Sequence, residues 1–366
     1  MGKTDSSISN SKEKGTAFLF FKLALFIPIV ALIVATNVLV DPSGIYKRAF
    51  NKYPSDEYRI IKALSSVKQV LVTRPIDDRL LRKYYIEGLT AAPDIVVLGS
   101  SHSAWVGGNI FPGSRIVNSS VPGAVLADYL GIFENYAKRG LYPQRVILLL
   151  DPQLIAYPVI SDNWVSINED TLRMLGRLGI HSDRFKQPLV PLVWGNLFSF
   201  SYFQQSILKL QNAQGETVQS RILFKDGRWF KVPFKGAAPG ILHQKGFTPL
   251  LGQVKMDGEL EAVLEKFIRY LMAEHIKVTL WMLPFRPGVY DEFAGQGKPQ
   301  AKFNFVSVEG YYRGLAGRLG LGITGSLDPV ACGLNNNDFV DGEHIKYNVL
   351  ERMLKQQGTK CSMPGL

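Results

Sequence analysis

Ser101 follows a short apolar run in Asp94-Ile95-Val96-Val97-Leu98-Gly99-Ser100-Ser101-His102-Ser103. A serine hydroxyl is a poor nucleophile until a base takes its proton and a carboxylate holds that base in one tautomer. Near the other end, Asp338-Phe339-Val340-Asp341-Gly342-Glu343-His344 supplies both groups. Asp341 and His344 are three residues apart, so at the start of a helix they share one face. The chemistry this points to is acyl transfer through a triad in the chain order Ser101, Asp341, His344. Serine after glycine is also a common loop or N-cap choice, so the reading rests on both stretches together.

The elements around these residues must bring two distant segments to one place. The β-branched run 94–98 reads as a buried strand, and Gly99 allows a sharp turn at its carboxyl end. In an open α/β sheet ligands bind at that end, and a helix starting near Ser101 would aim free N–H groups there. Residues 115–118 and 145–150 read as further strands, and 127–138 as a helix stopped by Gly140. Residues 254–275 form the clearest helix, with Leu260, Val263, Leu264, Phe267, Ile268 and Leu271 in a stripe at 3.6-residue spacing. A second helix is predicted over 305–319, stopped by Gly320, and a last one over 345–355. Strands alternating with helices indicate a parallel sheet covered on both faces.

The strand–Gly–x–Ser and the late Asp-x-x-His together resemble the SGNH/GDSL hydrolase superfamily. Val117 to Ala124 sits where that family carries its second block, whose glycine, here Gly123, helps form the oxyanion hole. Val146 to Pro152 sits where its third block lies, and Lys277 to Pro284 is similar to its last buried strand. The resemblance covers residues 94–150 and 277–357. It implies Ser101, Asp341 and His344 as catalytic residues and N–H donors from Ser101 and Gly123. Ser100 stands where the family usually has aspartate, so Ser101 is the nucleophile. The third block usually supplies an asparagine amide, but this chain has Asp151, whose carboxylate would repel an oxyanion. Either Asp151 turns away and Gln153 or a backbone N–H substitutes, or the hole has only two donors. The layout is similar to membrane-anchored members that serve cell-envelope O-acylation, such as the D-alanyl transfer protein of teichoic acids and the alginate O-acetylation proteins. A membrane-bound O-acyltransferase is the partner this implies.

The chain has 366 residues, 46% hydrophobic and 20% charged, with a net charge of +11 spread along its length. This suits a globular protein with a membrane segment, and no nucleic-acid motif appears. Residues 1–16 read as a polar cytoplasmic tail and 17–40 as an apolar anchor. Its uninterrupted part spans about 27 Å, near the ~30 Å of a hydrocarbon core. Residues 41–93 read as a helical linker, and 94–357 as the catalytic domain with an aromatic-rich insert at 155–251 forming a cap. Trp229 with Arg228 in the insert, and Arg286 past a strand end, are candidates for substrate contact. His181, His243 and His275 lack metal-ligand spacing, and no cofactor cradle appears. The two cysteines, Cys332 and Cys361, either pair in an oxidising compartment or stay free and buried.

The expectation is therefore an α/β, SGNH-hydrolase-like protein with one N-terminal transmembrane helix and its main domain periplasmic. It would act as a serine esterase or O-acyl (acetyl) transferase on an envelope or secreted polysaccharide. The alternative is a catalytically inactive scaffold or glycan-binding subunit on the same fold.

Overall fold

The computed structural model describes residues 26–41, 46, 55–73, 76–159, 161, 163–185, 194–212, 220–231, 254–294, 303–355 and 361. The chain divides into two compact units: Met1–Tyr53 with Gln187–Thr217, and Pro54–Lys186 with Val218–Leu366.

The elements, in chain order, begin with helix α1 (residues 26–40), α2 (Asp56–Ser66), strand β1 (Gln69–Val72) and α3 (Asp78–Glu87). Then come β2 (Ile95–Leu98), β3 (Ile116–Asn118), α4 (Leu126–Ala137), β4 (Arg145–Leu149), β5 (Ala156–Tyr157), α5 (Asn168–Arg177) and α6 (Phe200–Asn212). The remainder is β6 (Arg221–Phe224), β7 (Trp229–Lys231), β8 (Lys255–Met256), α7 (Gly258–Ala273), β9 (Lys277–Met282), α8 (Pro287–Phe293), α9 (Phe305–Leu319), β10 (Ile323–Gly325) and α10 (Tyr347–Lys355).

In the larger unit a five-stranded parallel sheet runs β10-β9-β4-β2-β3. Ile95, Val97, Ile147, Leu149 and Trp281 pack with Val349, Leu350, Met353 and Leu354 of α10. The alternate residues Val96, Leu98, Val146 and Leu148 are equally buried, so both faces of the central strands are covered. The α7 stripe from Leu260 to Leu271 is buried as its spacing requires. Gly320 ends α9 in the left-handed conformation, φ 66°. This strand order is the doubly wound 2-1-3-4-5 pattern, whose switch point lies between β2 and β4.

Three expectations change. Strand β10 follows the run expected to be the last, pairing with β9 along Ile323–Gly325; three residues are too few to show a period. The expected linker is in part an integral element: β1 pairs antiparallel with β6 of the expected insert, and α3 packs on α4. The insert itself is divided, with 187–217 in the smaller unit and the β6–β7 hairpin in the larger one.

In the smaller unit, the Asn37 side-chain amide donates to the carbonyls of Asn196, Leu197 and Ser199 at 2.9–3.1 Å. The Tyr202 hydroxyl donates to buried Asp41 at 2.8 Å. Among the described residues no helix is long and apolar enough to cross a membrane. The expected transmembrane helix over 17–40 therefore appears only as α1, and residues 17–25 of that expectation lie outside the described residues.

Candidate active site

Ser101 opens a single 3₁₀ turn, Ser101–Ser103, directly past the end of β2. It is a shorter helix start than the sequence suggests. Ser100 caps it, its hydroxyl accepting from the His102 amide at 3.2 Å. A side chain at Gly99 would collide with the Ser103 and Ser120 side chains, so the tight turn requires glycine.

The Ser101 Oγ lies 2.8 Å from His344 Nε2. His344 Nδ1 lies 2.8 and 2.9 Å from the two Asp341 carboxylate oxygens. With the Nδ1 proton held by Asp341, Nε2 is left as the acceptor for the serine proton. Side-chain exposure is 28% for His344 and 33% for Asp341, so a substrate can reach the group. Asp341 and His344 sit on a loop and not on a helix, which begins only at Tyr347. The amides of Glu343 and His344 both donate to Asp341 Oδ1 at 2.8 Å, a local turn that brings the i and i+3 side chains together without a helix. Backbone bonds Val340 N to His344 O and Lys346 N to Asp338 O close this loop, and Arg286 N donates to Gly342 O. Burial alone would raise the Asp341 carboxyl, but its bonds to the His344 ring and the two amides hold it well below the usual carboxylate range.

The segment Asn118–Val125 lies beside the turn, with Ser119 N donating to Val97 O and Val121 N to Gly99 O. Two buried arginines of α3 hold its carbonyls. Arg79 donates to the Pro122 and Gly123 carbonyls at 2.9 and 3.5 Å and forks onto Asp128 at 2.8 and 3.0 Å. Arg82 donates twice to Ser120 O at 3.0 and 3.2 Å. Asp128 also accepts from Val125 N at 2.8 Å. Gly123 takes φ 57°, a conformation that favours glycine. Among the described residues neither the Ser101 nor the Gly123 amide donates to another protein group. Sequence reasoning missed Arg79, Arg82 and Asp128. The only signal for the two arginines is an amphipathic helix with arginines on its buried face.

Asp151 is not placed as an oxyanion donor. It follows β4, and its Oδ1 lies 3.0 Å from His102 Nδ1. Gln153 is buried on the following 3₁₀ turn. Burial would lower the His102 imidazole, but Asp151, and beyond it Glu343 and Asp341, raise it.

The substrate-contact candidates separate. Trp229 is buried in a core cluster with Leu64, Leu81 and Ala104, where it offers no surface to a ligand. Its neighbour Phe230 stacks on Trp105 at 4.4 Å, and Tyr347 meets the same indole at 4.5 Å. Arg228 donates to Asn109 at 2.7 Å, so it braces the segment after Ser101. Arg286 Nε donates to Asn336 at 3.1 Å and stays beside the Asp341 loop through its backbone. Among the described residues no cluster of His, Cys, Asp or Glu could hold a metal ion. Cys332 and Cys361 are bonded, with Cα atoms 5.5 Å apart.

No family model matches the chain, and no curated protein matches it. Among solved structures it is similar to one from Streptococcus pneumonia named for platelet activating factor, at 12% identity. The match covers 82% of this chain and 94% of that one with a TM-score of 0.37, a likeness too loose to carry functional weight.

Proposed function

We propose that this chain is an SGNH-like acyl-serine enzyme, an esterase or O-acyl (acetyl) transferase that acts on an envelope or secreted polysaccharide. One observation carries the reading: the continuous contact from Ser101 Oγ through the His344 ring to Asp341 at the carboxyl edge of a parallel sheet. His344 Nε2 takes the Ser101 proton as Oγ attacks the ester carbonyl carbon. The Ser101 and Gly123 amides hold the oxyanion that forms. The imidazolium, stabilised by ionised Asp341, gives its proton to the departing alkoxide and leaves an acyl-serine. A sugar hydroxyl or a water, deprotonated by His344, then attacks that acyl group and frees Ser101.

The proposed setting is the outer face of the plasma membrane. Residues 17–40 anchor the chain, and a membrane-bound O-acyltransferase supplies the acyl group. The Cys332–Cys361 bond supports an oxidising compartment. Arg286 is proposed as a substrate contact.

The catalytically inactive scaffold is the second reading, favoured by Asp151, a carboxylate that turns to His102 and supplies no third oxyanion donor. One assay decides between them. The purified full chain is incubated with nitrophenyl acetate and compared with Ser101→Ala. A loss of hydrolysis by about 10³-fold or more supports the triad, and equal rates refute it.

A further inference from the structure

His102 is buried between the switch-point strands and the base loop, and nothing in the triad chemistry uses it. Its Nδ1 is 3.0 Å from Asp151 Oδ1, and its Nε2 is 4.0 Å from Glu343 Oε2. Its ring meets the His344 ring edge to face at 5.3 Å and the Phe285 ring at 5.1 Å. Side-chain exposure is 5% for His102, 3% for Asp151 and 12% for Glu343, so water screens these charges little. Asp151 Oδ2 and Glu343 Oε1 are buried with no hydrogen-bond partner among the described residues.

A triad needs one carboxylate, and here two more, Asp151 and Glu343, face the His102 ring that meets the His344 ring. Carboxylates near an imidazole favour its charged form, and a protonated His344 cannot take the serine proton. The other groups around the pair do not offset this. Tyr312, whose hydroxyl donates to the Asp151 carbonyl at 2.7 Å, and Tyr129 are both held neutral by burial. Among the described residues His102 is the one basic side chain within 4.0 Å of the Asp151 or Glu343 carboxylate.

We propose that His102 is a positioning residue for charge: as an imidazolium it offsets one of the two negative charges of Asp151 and Glu343, and so favours the neutral His344 ring that accepts the serine proton. The inference rests on the triad reading above, but its readout does not need turnover. Asp151, misplaced as an oxyanion donor, becomes the fixed counter-charge of His102.

The test is the titration midpoint of His344, followed by NMR on histidine-labelled full chain in detergent micelles. His102→Gln leaves both extra carboxylates uncompensated, and the midpoint should rise by about one pH unit or more. Adding Asp151→Asn removes one of them and should bring the midpoint back toward wild type. Glu343→Gln, an isosteric change on the loop, should lower it. The acid limb of kcat/KM should move with the midpoint in each variant. A purely structural His102 would weaken signal and activity without this reversal. An unmoved midpoint in His102→Gln, no reversal in the double variant, or no fall in Glu343→Gln would overturn the proposal. If Ser101→Ala is as active as wild type while the midpoints move as stated, the charge arrangement stands and the acyl-serine reading falls.

Discussion

Breaking the Cys332–Cys361 bond should cost more than any surface change, because of what the bond encloses. The partners are 29 residues apart in sequence, and the ring between them contains Asp341 and His344. On the loop-entropy relation, closing a ring of that length removes about 12 cal/mol/K from the unfolded chain, or about 3.6 kcal/mol at 25 °C. Both sulfurs lie in the cluster that holds Phe339, Ile345, Val349 and Leu350, residues on either side of His344. The full chain with Cys332→Ala and Cys361→Ala should therefore unfold in urea earlier than wild type. With a denaturant slope of about 3 kcal/mol/M, the midpoint falls by about 1.2 M. Reduced wild type should shift by a similar amount, which separates the cross-link from the small loss of packing in the alanine variant. Hydrolysis of a nitrophenyl ester, followed through the same titration, should disappear at or before the structural midpoint, since the base loop loses its tether first. A double variant within 1 kcal/mol of wild type, with ester hydrolysis surviving to the same urea concentration, would refute the view that this bond holds the base in place.

Asp341→Asn should keep the loop folded but lower kcat by about 10⁴-fold, because an amide no longer enforces the productive His344 tautomer; steady-state kinetics checks this. Asp128→Ala leaves Arg79 buried without its partner, at 4% side-chain exposure, and should destabilise by about 3–5 kcal/mol in urea titrations. It should also reduce kcat more than it raises KM, since Arg79 fixes the Pro122 carbonyl and with it the Gly123 amide of the same peptide plane. Asp170 is buried between Lys83 and Lys138, at 2.8 and 3.1 Å. Burial alone would raise its carboxyl, but the two lysines hold it below the ordinary value. Its stabilising contribution is thus complete above the unfolded carboxylate value of about 4 and is lost as pH falls through the lower folded value. Asp170→Asn should flatten that acid limb in thermal melts recorded from pH 6 downward, and an unchanged slope counts against the assignment.

Local signals were enough for the parts of this protein that depend on neighbours in sequence. The run Ile95–Leu98, the stripe of α7 and the stop at Gly320 each follow from side-chain period or backbone freedom, and the structure places them within a few residues of expectation. That Ser101, Asp341 and His344 are candidates was legible because a serine after a strand and a carboxylate three residues before a histidine are short-range patterns, and the structure brings the three side chains into contact. The helix expected under Asp341 and His344 is a loop, since two backbone amides capping one aspartate achieve the same approach.

What the tertiary structure decided is every pairing across distance. The Arg79 fork on Asp128, the Arg82 contact with Ser120 and the His102–Asp151 pair join residues 38–49 positions apart. No periodicity encodes such contacts, because they arise only once helix and strand ends converge at one edge of the sheet. The same holds for β1 with β6, which made part of a supposed linker into a brace, and for Trp229, whose aromatic character indicated a surface until packing enclosed it. Residue types along the chain named the chemistry available. Which charges face one another was settled by how the helices and strand ends pack in three dimensions.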